Sequence, residues 1–142
     1  MLFERFIENN VVDMRLKMDQ IDKKSLDYLI TQTKFLSSDF SQQEEKLGLL
    51  GDYITDDIAN EWDWNTLCYS VNNLVEKGVL RREVIRLFVE IDKKFTDASK
   101  GGKFFSPRIW TLNGLKNDSF WEQQRIIAKK LLIELEKSKN CY

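Results

Sequence analysis

The residues with the greatest chemical potential are crowded into one short stretch, "DDIANEWDW" at positions 56–64, which packs four carboxylates and two tryptophans into nine residues. Just before it, Asp52 and Asp56 stand four apart and share one face of a predicted helix. Two such carboxylates can hold Mg²⁺, as in all-α enzymes acting on diphosphates. Those enzymes present acidic pairs from two facing helices, whereas Glu44 and Glu45 fall on the same predicted helix as Asp52. Asp19, Asp22 and Asp27 follow no ligand spacing, so neither a metal site nor a cofactor is assigned.

Other chemistries have less support. The chain has no histidine, which excludes Ser-His-Asp and Cys-His nucleophiles, His-containing zinc sites and imidazole acid–base catalysis. Its only cysteines, Cys68 and Cys141, are too far apart in sequence to make a disulfide framework or a ligand cluster. Cys68 reads as a small apolar residue on a helix. The run "SKGGK" at positions 99–103 lacks the spacing of a phosphate-cradling loop and follows a helix rather than a strand, so it reads as a flexible basic connector. No catalytic residue is assigned, and the chain is expected not to be an enzyme.

The elements that must position these residues are helical almost throughout. A single proline and six glycines leave few breaks, and strand-like alternation is not sustained anywhere. Leu26, Leu29, Ile30, Thr33 and Leu36 mark one amphipathic helix, with Asp22 or Ser25 as its cap. "SQQE" at 41–44 has the form of a capping box opening a helix whose inward stripe is Leu47, Leu50, Ile54 and Ile58. Asp63 caps the next helix, and Gly78 ends it in a left-handed conformation. Trp62 then precedes the cap, where it either staples the first turn or, if exposed, anchors a partner.

A stripe from Leu80 to Phe95 defines another helix, with Arg81, Arg82, Arg86, Lys93 and Lys94 on its remaining surface. Ser106-Pro107 opens a short helix that Gly114 closes, and a second capping box begins at Ser119. The expected fold is therefore all-α, a single domain over 1–142 built as a bundle of about five to seven helices.

Net charge is −1, but residues 1–71 hold 14 acids against 7 bases and residues 72–142 hold 9 acids against 15 bases. From position 39 to 63 there are eight acids and only Lys46 to oppose them. Such a block solvates a helix face or steers a basic partner. The arginines after Gly78 suit a helix-turn-helix regulator superficially, yet an isoelectric point near 5.6 opposes binding to a polyanion. No apolar run is long enough to span a bilayer, and "MLFERFIENN" lacks the basic-then-apolar order of a secretory signal. A cytoplasmic protein is expected.

The stretch "GDYITDDIANEWDW" resembles, in character, the acidic, tyrosine-containing recognition helices of colicin-type DNase immunity proteins. Chain length, helical content and the lack of histidine are also similar to immunity proteins of contact-dependent growth inhibition. The resemblance implies a non-enzymatic inhibitor that binds a cognate bacterial toxin domain through Asp52, Tyr53, Asp56, Asp57, Glu61 and Trp62. A Mg²⁺-dependent enzyme acting on a phosphorylated small molecule and a nucleic-acid-binding regulator are the alternatives. The oppositely charged halves would also suit internal pairing or a head-to-tail homodimer, either of which would use the same charges.

Overall fold

Four of the helices start at aspartates, because an ionised carboxylate both accepts the orphan amide protons of a first turn and complements the helix dipole. The computed structural model describes residues 19–49 and 55–141. Helix α1 spans Gln20–Ser37, and its cap is Asp19, whose carboxylate accepts from the Asp22 amide at 2.8 Å. Helix α2 spans Phe40–Leu49, with Asp39 accepting from the Gln42 amide at 2.9 Å. Helix α3 is short, Thr55–Asn60, and α4 spans Trp64–Glu76 behind the expected Asp63 cap. Helix α5 covers Glu83–Ala98, a 3₁₀ turn covers Pro107–Trp110, and α6 covers Leu112–Asn117. The longest helix, α7, runs Ser119–Asn140 behind Asp118, which accepts from the Phe120 amide at 2.8 Å. The fold is an all-α bundle, and no strand occurs among the described residues.

The caps correct three local expectations. Asp19 takes the role expected of Asp22 or Ser25, and Asp39 and Asp118 displace the serine-led boxes at Ser41 and Ser119. At Ser41 and Ser119 an aspartate just upstream supplies a charged acceptor, stronger than a serine hydroxyl, and at α1 the Asp22 carboxylate is instead taken up by Asn73 and Lys77. Gly114, expected to end a helix, lies inside α6. An added Cβ there would stand 2.0 Å from the Arg108 carbonyl oxygen, so glycine lets α6 fold tightly onto the 3₁₀ turn. Gly78 behaves as expected, at φ 75°. Its amide donates to Val75 at 3.0 Å and the Val79 amide to Leu74 at 2.9 Å, satisfying the last carbonyls of α4. In the stripe expected over 41–58, Leu47 and Ile58 are buried, and Leu50 and Ile54 lie outside the described residues.

Helices α1, α4, α5 and α7 surround one core that includes Leu29, Leu36, Leu74, Phe88, Ile91 and Leu131. A second, aromatic layer joins Phe95, Trp110, Phe120 and Trp121, with ring centroids 5.3–6.3 Å apart. Edge-on contacts such as Trp110–Trp121, at 86°, place ring hydrogens against ring faces. The Trp121 indole N–H also donates to the Ile109 carbonyl at 2.6 Å, so this buried ring has no unmet donor.

Buried polar groups tie the helices together. Gln43 on α2 donates to the Phe35 and Leu36 carbonyls at 3.1 and 3.0 Å, filling acceptors left open at the end of α1. Its side-chain oxygen takes two N–H bonds from Arg125 on α7, which also donates to the Leu115 carbonyl. Burial holds the Arg125 pKa below its ordinary value, and Glu122, 3.5 Å away, partly opposes that shift. Asp22 is buried on α1 and accepts from Asn73 at 3.0 Å and from Lys77 at 2.7 Å, fastening the start of α1 to the end of α4. That hydrogen bond is the main reason the Lys77 pKa is raised.

Candidate partner-binding cleft

The short helix α3 and the loop after α5 face each other across an open cleft of about 430 Å³. One wall carries Asp56 and Asn60, spaced i, i+4 on α3, and the other carries Phe105, Pro107 and Trp110. The walls are held in place by hydrogen bonds rather than by a shared helix. The Thr55 hydroxyl donates to the Trp110 carbonyl at 2.6 Å, and the Trp110 indole donates to the Ala98 carbonyl at 3.0 Å.

The "SKGGK" run is not merely a loose connector. Gly102 donates to Ser99 at 2.7 Å and Phe104 to Asp97 at 2.7 Å, folding the chain back on the end of α5. Gly101 has φ 89°, a conformation that favours glycine. An added Cβ on Gly102 would stand 2.4 Å from the Asp97 carbonyl oxygen. This folded loop carries two consecutive aromatic side chains. Phe104 is 67% exposed and lines a separate hollow beside Phe120, whereas Phe105 is 41% exposed and lines the cleft beside Trp110. Aromatics on a fixed backbone bind at low entropic cost, the property expected of interface anchors.

At its far end the cleft meets a second hollow of about 420 Å³ that contains Asp63 and Asp92. Ala59, Asn60 and Ser99 line both spaces. Burial raises the Asp92 pKa, the Trp64 backbone N–H pulls it back down, and the nearby Asp63 charge raises it further. The Asp63 carboxylate is itself occupied in capping α4, accepting from the Asn65 amide at 3.1 Å. Asp56, Asp63 and Asp92 make no ion pair among the described residues.

Of the residues expected to bind a partner, the four that are described, Asp56, Asp57, Glu61 and Trp62, do not share one exposed face. Asp52 and Tyr53 lie outside the described residues. Asp56 is exposed in the cleft, and Asp57, its neighbour on α3, is half-buried. Glu61 is half-buried on the α1 side, and its charge adds to burial in raising the Tyr28 pKa. Its backbone carbonyl accepts from the Gln32 side chain at 2.5 Å. Trp62 is a correction: only 1% exposed, it packs against Phe88 with centroids 5.8 Å apart and cannot serve as a surface anchor. It stands one residue before the α4 cap, where burying an indole gains more than leaving it in water.

Sequence reasoning therefore missed Asn60, Asp92, Ser99 and Phe105 as cleft residues. The available signal was Phe104-Phe105 itself, since neighbouring aromatics on a glycine-rich loop have no helical stripe to join. Among the described residues, no group of three or more Asp, Glu, Cys or His side chains is arranged to hold a metal ion, and no helix is long and apolar enough to cross a membrane. Of the basic residues after Gly78, Arg81 pairs with Glu83 and Glu134, at 3.4 and 3.6 Å, and Lys94 donates to Gln123 at 3.2 Å. No family model, curated protein or solved structure matches the chain.

Proposed function

We propose that the chain is a non-enzymatic binding protein, an immunity protein that neutralises a cognate bacterial toxin domain by occupying its surface. The observation that supports this reading is the cleft, which places an exposed carboxylate on α3 opposite an exposed phenylalanine on a hydrogen-bonded loop. Asp56, which has no ion partner among the described residues, speeds encounter with a basic nuclease domain and rejects wrong partners, while the aromatic wall slows dissociation. The class resemblance of "GDYITDDIANEWDW" to toxin-immunity recognition helices points the same way.

Co-expression with a toxin domain encoded beside its gene tests the proposal. Growth should be restored and the two proteins should purify together. Asp52→Lys combined with Asp56→Lys should slow association and weaken binding about tenfold or more, with an unchanged helical circular dichroism spectrum. Continued growth arrest despite soluble expression would reject the immunity reading.

A further inference from the structure

The geometry points to an arginine side chain of the partner protein as the group that fills the trough running from the Phe105–Trp110 wall to Asp63 and Asp92. This rests on the binding reading above and deepens it by naming the chemistry that is recognised. The two hollows are neighbours that share Ala59, Asn60 and Ser99 in their linings, with the Phe105 and Trp110 rings bordering one and two carboxylates bordering the other.

An arginine matches both ends. Its stem and guanidinium plane pack on aromatic faces, and its fork of donors suits carboxylate oxygens. Asp92 faces the Trp64 backbone N–H, and Asp63 as the α4 cap accepts from the Asn65 amide and the Thr66 hydroxyl, so each carboxylate, with about four lone-pair sites, retains acceptor capacity. Among the described residues, no basic side chain lines the hollow around them. Lys100 lines the aromatic part of the cleft but forms no ion pair with Asp56. The charge of the inner hollow therefore calls for a cation from outside. Two carboxylates without a third metal-capable neighbour among the described residues favour an organic cation over a metal ion. The same carboxylates oppose a phosphate.

The probe is a blocked Gly-Arg-Gly tripeptide, compared with its citrulline counterpart, which keeps the shape and loses the charge. Titration into the full chain, followed by amide and indole NMR shifts, should perturb Asn60, Asp92, Ser99 and the Trp110 indole. Binding should weaken about tenfold with citrulline, and equally in Asp92→Asn. Asn60→Lys, a change at an exposed position, should abolish the cleft shifts while leaving the rest of the spectrum in place. Equal shifts with citrulline, or shifts confined to acids outside the trough, would overturn the assignment. That result would leave toxin rescue intact, so failure of this inference and failure of the binding reading are separable.

Discussion

Along the seam between α1 and α7, Asp27 meets Lys139 at 3.1 Å and Lys34 meets Glu136 at 3.7 Å. At the α3 end of the bundle, Asp56, Asp63 and Asp92 meet no cation among the described residues. The first region pairs charges across the two halves of the sequence in both senses, an acid of the first half with a base of the second and the reverse. The second region leaves its acids beside exposed aromatics. Opposite charge excess in the two halves is thus partly used internally, by Asp27 with Lys139 and by Asp22 with Lys77, and the acids so used lie on α1 and not on α3. Exposed pairs of this kind contribute little stability, about 0.2–1 kcal/mol each, so the seam's strength comes from apolar packing beneath them.

The contrast can be broken from either side. The largest effect is expected for Trp62→Ala, which empties the floor beneath the α3 end and should cost about 4 kcal/mol in a urea unfolding curve. Against a typical total of about 5–15 kcal/mol, that loss would leave a marginal fold, and it would confirm Trp62 as core. Arg125→Met strikes the tied body of the bundle by orphaning the Gln43 side-chain oxygen and the Leu115 carbonyl, and should cost about 2 kcal/mol in the same assay.

Asp92→Asn should do the opposite. The folded state binds the Asp92 proton more tightly than the unfolded chain does, so ionising this group costs stability as pH rises above its ordinary value of 3.8. The substitution should therefore stabilise the protein at neutral pH, by less than about 1 kcal/mol for so accessible a group, and make no difference below pH 3.8. Paired melting curves at the two pH values measure this. A loss of stability at neutral pH would show that the unpaired acids serve the fold after all.

How much of this was legible in the sequence depended on the range of the interaction. The stripe of α5, the Asp63 cap and the Gly78 terminus follow from residues within a turn or two of one another, and all are present. The other caps shifted because an aspartate and a serine compete within a few positions, and periodicity does not rank them. Trp62 illustrates a different limit, since its position before a cap suits a staple and, if exposed, an anchor, until Phe88 is seen to pack on it. The cleft was not legible at all. It depends on Thr55 reaching Trp110 and on Trp110 reaching Ala98, contacts that no local pattern encodes.

Trp110 carries a consequence beyond the wall it forms. Its ring lies against Phe95, Phe120 and Trp121, so anything seated in the cleft also bears on the aromatic layer between α5 and α7. Occupancy and unfolding are then linked equilibria. A ligand at a hundred times its dissociation constant should raise the free energy of unfolding of the whole bundle by about 2.7 kcal/mol. Whether the cleft is filled can thus be read from the melting temperature of the whole bundle.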